Sequence, residues 1–134
     1  MLAAVEKPQN PAALRILLVE DHPEVAAAQA LLLRALGYQV QTAPDGQTAI
    51  EMAKSLLPDI AVVDIGLPGI DGYQVAESLR GDPATSAIRL IALTAYGSAE
   101  DRQRSKHSGF EAHLVKPASI DQLCRALGGS SQIA

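Results

Sequence analysis

The sequence predicts a doubly wound α/β domain, and three observations predict it. Short apolar runs alternate five times with segments of helical period along the 134-residue chain. Apart from the second, the runs are largely apolar and do not alternate with polar residues, as strands of a parallel sheet covered on both faces require. Each intervening segment can cross back over the sheet, and strand twist makes such a crossover right-handed. No internal repeat or low-complexity tract competes with this reading.

The first strand is Arg15–Glu20 (RILLVE). A helix starts at Pro23, whose fixed φ suits a first turn, and stops at Gly37. Val25, Ala28, Leu32 and Leu36 stand at helical spacing and are assigned to its buried stripe. Tyr38–Ala43 (YQVQTA) is more polar, so it predicts an edge strand. Asp45 opens a second helix through Ala49, Ile50, Ala53 and Leu57, closed by Pro58. Ile60–Asp64 (IAVVD) is the third strand; a loop with Gly66, Pro68, Gly69 and Gly72 leads to a helix from about Tyr73 to Arg80. Arg89–Ala95 (RLIALTA) and Ala112–Lys116 (AHLVK) are the fourth and fifth strands. Between them lies a polar helix, Ser98 to Ser108, and a last helix runs from near Ser119 to Gly128.

Residues 1–14 carry Pro8 and Pro11 without a clear period and read as a loose leader or linker; the folded unit is 15–127, with a short tail over 128–134. Aromatics make up only 3% of the residues, so the core must be built from Leu, Ile, Val and Ala. The net charge of −4 and the lack of a basic run argue against nucleic acid. Cys124 stands alone and forms no internal disulfide, and no apolar segment is long enough to cross a bilayer or to serve as a signal peptide. A cytoplasmic protein without membrane insertion is expected.

In an open parallel sheet, chemistry gathers outside the carboxyl ends of the strands. The first strand ends in Glu20 and Asp21, the third in Asp64, the fourth in Thr94 and the fifth in Lys116. Each residue alone has an ordinary reading: Asp21 as a helix cap, Thr94 as a β-branched strand residue, Lys116 as a solvated lysine. With the first and third strands adjacent, however, three carboxylates converge, and their mutual repulsion calls for a countercharge. A hard divalent cation meets that need, and carboxylates with a backbone carbonyl suit Mg²⁺. Glu20, Asp21 and the Gly66 carbonyl would hold the ion, which would bridge Asp64 to a phosphoryl oxygen. Asp64 would then act as a carboxylate nucleophile, with Lys116 pairing one phosphoryl oxygen and Thr94 donating to another.

These motifs, from ILLVEDH through VVDIGLPGIDGY and ALTA to HLVKP, resemble the receiver domains of two-component response regulators over about Arg15 to Leu127. The resemblance implies a flavodoxin-like (βα)5 fold with strand order 2-1-3-4-5. It implies Asp64 as phospho-acceptor, Glu20 and Asp21 as metal ligands, Thr94 and Lys116 as switch residues, and a cis Lys116–Pro117 bond. The implied partner is a histidine kinase or histidine phosphotransfer domain, and the chain looks most like a receiver at the C-terminal end of a hybrid sensor histidine kinase. A homodimer stays open. At the position three before the lysine, where the family often has Tyr or Phe, this chain has His113, so a switching role and an ordinary half-buried role both remain.

The competing reading is a small Mg²⁺-dependent phosphatase working through an aspartyl phosphate. Such an enzyme usually carries a second acid two residues after the nucleophile, and here that residue is Gly66. Nucleotide binding fails because no glycine-rich phosphate loop follows the first strand. The expectation is therefore a signalling module, not an enzyme acting on outside substrates. Leu31 and Leu33, off the assigned stripe, and the small Ala26, Ala27 and Ala30 mark the first helix as a candidate docking face. The polar helix has only Ala99 as an apolar residue, so it should be marginal, and with Tyr96 and His113 it is the candidate switch surface.

Overall fold

The computed structural model describes residues 14–128; the expected leader up to residue 13 and the expected tail from residue 129 lie outside them. Its elements are β1 (Arg15–Val19), α1 (Pro23–Ala35), β2 (Gln39–Ala43), α2 (Gly46–Leu56), β3 (Ile60–Asp64), α3 (Gly72–Gly81), β4 (Arg89–Thr94), α4 (Ala99–Ser108), β5 (Ala112–Val115) and α5 (Ile120–Leu127). The five strands form one parallel sheet in the order β2-β1-β3-β4-β5, the flavodoxin-like arrangement.

Because side chains alternate across a strand, a sheet covered twice needs two apolar sets. Leu17, Val19, Ala61, Val63, Leu90 and Ala92 face α2 and α3. Their chain neighbours Ile16, Leu18, Ile60, Val62, Ile91 and Leu93 face α1 and α5. The central strand β3 is buried at all five positions, whereas β2, at the sheet edge, buries only Val40 and Ala43.

Local chemistry fixes the helix ends. Asp45 accepts from the Thr48 N–H at 2.7 Å, and capping boxes start α3, α4 and α5 at Asp71, Ser98 and Ser119. The second helix stops one residue earlier than expected. Pro58 disfavours helical geometry at the residue before it, and Leu57 turns left-handed with φ 47°. Gly37 and Gly109, at φ 101° and 106°, end α1 and α4 in the left-handed region that glycine tolerates.

The assigned stripe of α1 is corrected. The helix buries Ala26, Ala30 and Leu33, while Val25, Leu32 and Leu36 are 40%, 52% and 46% exposed and Ala28 is exposed too. The physical reason is that α1 is apolar on two sides, so periodicity alone cannot choose between them. The sheet takes the side where Ala26 and Ala30 allow close approach and Leu33 fills the core, while Val25, Leu32 and Leu36 face outward. Leu31, at 69% exposure, joins the outward set.

Candidate functional site

All five strands run the same way, so the residues just beyond β1, β3, β4 and β5 share one edge of the sheet. Hydrogen-bonded register between β1 and β3 pairs Val19 with Val63, which sets Glu20 beside Asp64. Both carboxylates are almost wholly buried, at 2% and 5% exposure. Burying two such charges costs several kcal/mol unless a partner compensates. Lys116 is that partner: its Nζ lies 3.1 Å from Asp64 Oδ2 and 3.3 Å from Glu20 Oε1. Burial alone would lower the Lys116 ammonium, but the hydrogen bond and charge of Asp64, with the charge of Glu20, hold it above its ordinary value.

The remaining Asp64 oxygen, Oδ1, accepts the Gly66 N–H at 3.0 Å. The loop glycines differ in what they permit. A Cβ on Gly72 would come within 2.6 Å of the Ile65 Cα and 2.7 Å of the Asp64 carbonyl oxygen, and Gly69 sits at φ 74°. Gly66 faces no such conflict, since a Cβ there meets only Asp64 Oδ1, at 3.7 Å. The turn after Asp64 therefore requires glycine at positions 69 and 72.

Asp21 does not cap α1. The N-cap is His22, which stays extended at φ −91°, ψ 111° before Pro23 and makes no side-chain cap bond. Its ring instead turns back over the acids: Nδ1 lies 2.9 Å from Glu20 Oε2 and 3.4 Å from Asp21 Oδ1. The longer approach lacks hydrogen-bond alignment, and Asp21 Oδ1 is a buried oxygen without a hydrogen-bond partner. A hydrogen bond to Glu20 and the charges of Asp21 and Glu20 raise the His22 imidazole above its ordinary value. Ligand atoms of Glu20, Asp21, His22 and Asp64 all lie within 4.8 Å of one another. An unsatisfied carboxylate oxygen among clustered acids is what a divalent cation would satisfy, so the residues present fit Mg²⁺.

Thr94, buried at the end of β4, follows Leu93, the register partner of Asp64. Its Oγ1 accepts the Tyr96 N–H at 3.1 Å, which leaves its own proton as a donor. Tyr96 itself points outward and is 65% exposed, whereas His113 is buried. Lys116 and Pro117 are joined by a cis peptide bond.

Sequence reasoning found Glu20, Asp21, Asp64 and Lys116, and the structure brings them together. It missed His22. Part of the signal was present, since the residue before a proline is disfavoured in the helix and so stays next to the two acids, but the sequence does not say which way its ring turns.

The response regulator receiver domain family model matches residues 16–128, and the chain belongs to that family, the phosphorylation-dependent signalling modules of two-component systems. Among curated relatives, it is 38% identical over 122 residues to the gliding motility regulatory protein of Myxococcus xanthus, covering 89% of this chain and 16% of that protein. It thus spans only a fraction of the length of the larger relatives it matches. Among solved structures, the chemotaxis protein CheY4 of Vibrio cholerae superposes with TM-score 0.82 at 26% identity, over 87% of this chain and 98% of that one. The receiver domain of sensor histidine kinase PA1611 from Pseudomonas aeruginosa PAO1 does so with TM-score 0.78 at 34% identity, over 85% and 93% of the two chains. That structure is described with a magnesium ion coordinated in its active site cleft. Among the described residues, no helix is long and apolar enough to cross a membrane.

Proposed function

We propose that Asp64 is the phospho-acceptor of a cytoplasmic receiver unit spanning 15–127, charged by a histidine kinase or histidine phosphotransfer domain. The observation that carries this is the Lys116 ammonium bridging Asp64 Oδ2 and Glu20 Oε1 at 3.1 and 3.3 Å. One carboxylate oxygen of Asp64 forms the bond to phosphorus as the bond from phosphorus to the donor imidazole breaks, and the imidazole keeps that electron pair. Mg²⁺, when bound, neutralises the charge of the transferring phosphoryl group. Glu20, Asp21, Asp64 and the Gly66 carbonyl are the residues that would hold it. Lys116 exchanges its contact with the carboxylate for one with a phosphoryl oxygen, and Thr94 turns its free O–H toward another. The unit catalyses only its own phosphorylation and dephosphorylation, because Gly66 supplies no general acid for outside substrates.

The donor docks on α1. That helix begins two residues after Asp21 and presents Val25, Leu31, Leu32 and Leu36 to solvent, all at least 40% exposed. An apolar face of this kind beside an acidic pocket suits a helix that carries a phosphohistidine at its edge. Intact mass after incubation with acetyl phosphate and Mg²⁺ tests the reading: wild type gains one phosphate and Asp64→Asn gains none. A gain that survives the substitution sinks it.

A further inference from the structure

We propose that His22 converts the acidic pocket from an all-oxygen site into a mixed oxygen–nitrogen site, raising its affinity for Ni²⁺, Co²⁺ or Zn²⁺ relative to Mg²⁺ beyond what the acids alone give. The proposal rests on reading Glu20, Asp21 and Asp64 as cation ligands. Its own observation is where the imidazole goes.

Pro23 keeps His22 out of the helix, and the N-cap position usually uses a side-chain oxygen to satisfy helix N–H groups. His22 makes no such bond. Its backbone N–H and its ring Nδ1 both turn to the same Glu20 oxygen, Oε2, at 3.1 and 2.9 Å. The chain thus wraps around Glu20 and places Nδ1 3.4 Å from Asp21 Oδ1, the oxygen that has no hydrogen-bond partner. The ring is 65% exposed, so it can adjust without repacking the core. Nδ1 offers its lone pair to a cation once its proton has moved to the opposite ring nitrogen or, from the imidazolium, has passed to water.

Ligand chemistry supplies the selectivity. Mg²⁺ favours oxygen and gains little from imidazole, while Ni²⁺, Co²⁺ and Zn²⁺ bind it well and stand higher in the general affinity order for mixed sites. The other two histidines of the sequence do not reach this pocket. His113 has both ring nitrogens engaged elsewhere, by Ser105 and Tyr96, and His107 lies on α4.

The test is titration calorimetry of the full chain with NiCl₂ and with MgCl₂, for wild type, His22→Asn and Asp64→Asn. His22→Asn should weaken Ni²⁺ about tenfold or more, at least the loss typical of mutating a mere outer-shell partner, and leave Mg²⁺ within about twofold. Asp64→Asn should weaken both cations, which places Ni²⁺ in the same pocket. In a His107→Asn background, pulsed electron paramagnetic resonance of bound Cu²⁺ should show imidazole nitrogen modulation that vanishes with His22→Asn. Unchanged Ni²⁺ affinity in His22→Asn, an equal loss for both cations, or Ni²⁺ binding that survives Asp64→Asn would overturn the proposal while leaving the acidic site intact. If wild type binds neither cation, the reading of the acids as ligands fails as well.

Discussion

His113 Nε2 lies 2.9 Å from the carbonyl oxygen of Tyr96. A carbonyl only accepts, so in the neutral ring Nε2 carries the proton and Nδ1 accepts from the Ser105 hydroxyl at 2.7 Å. The N–H of Tyr96 meanwhile donates to Thr94 Oγ1. A hydrogen-bonded path therefore leads from the site residue Thr94, through the Tyr96 backbone and the His113 ring, to Ser105 on α4. His113 occupies the place of an aromatic ring but is held at both nitrogens, whereas Tyr96 already lies outside.

The first prediction follows from that path. His113→Phe leaves the fully buried Ser105 without its partner, which should cost about 1–3 kcal/mol in urea denaturation. It should also speed amide exchange in α4 far more than in β1 or β3. In wild type, beryllofluoride, a mimic of the bound phosphoryl group, should change protection over residues 94–112. Changes confined to α1 or α2 would show that the path carries nothing.

The two faces of α1 give the second. Leu33 is fully buried, so Leu33→Ala should cost about 2–5 kcal/mol. Leu31→Glu, on the exposed face, should change stability by less than about 0.5 kcal/mol. It should slow phosphotransfer from a partner while leaving acetyl phosphate labelling unchanged. Equal loss in both assays would point to misfolding and not to docking.

What was legible in the sequence and what was not follow from how each residue signals. The inner strands were legible because burial on both faces leaves them few polar positions, and the site acids because they stand where apolar runs end. The inward face of α1 was not, since Ala26, Ala30 and Leu33 pattern no differently from Val25, Ala28, Leu32 and Leu36. The polarity of α4 was read correctly, but its anchors are hydroxyls, Ser105 and Ser108, which periodicity cannot detect. His22 escaped notice because its role depends on a ring orientation that only the fold supplies.

The third prediction concerns the acid cluster. Asp21→Asn should raise the melting temperature in excess chelator by relieving repulsion among Glu20, Asp21 and Asp64. The wild type should gain about 2.7 kcal/mol from Mg²⁺ at one hundred times its Kd, and the variant less at the same concentration. A lower melting temperature for Asp21→Asn in chelator would mean that its carboxylate supports the fold.

Asp101 sets a pH window for α4. The hydrogen bond from Ser98, chiefly, holds its carboxyl below the ordinary value of 3.8. A depressed folded pKa stabilises above the unfolded value, and that contribution is lost as pH falls through the folded value. Exchange in α4, normalised for intrinsic rate, should therefore rise below about pH 4 in wild type. Asp101→Ala should show the faster exchange at neutral pH already. Identical profiles for the two proteins would remove the capping box from the account.

The most direct test asks which carboxylate carries the phosphoryl group. Phosphorylate the protein with acetyl phosphate and Mg²⁺, reduce the acyl phosphate with borohydride, and map the peptides by mass. The account predicts conversion of Asp64 to homoserine, abolished by chelator and strongly diminished in Lys116→Ala. Homoserine or its glutamate-derived counterpart at Asp21 or Glu20, or reduction at Asp64 undiminished by chelator, would contradict it.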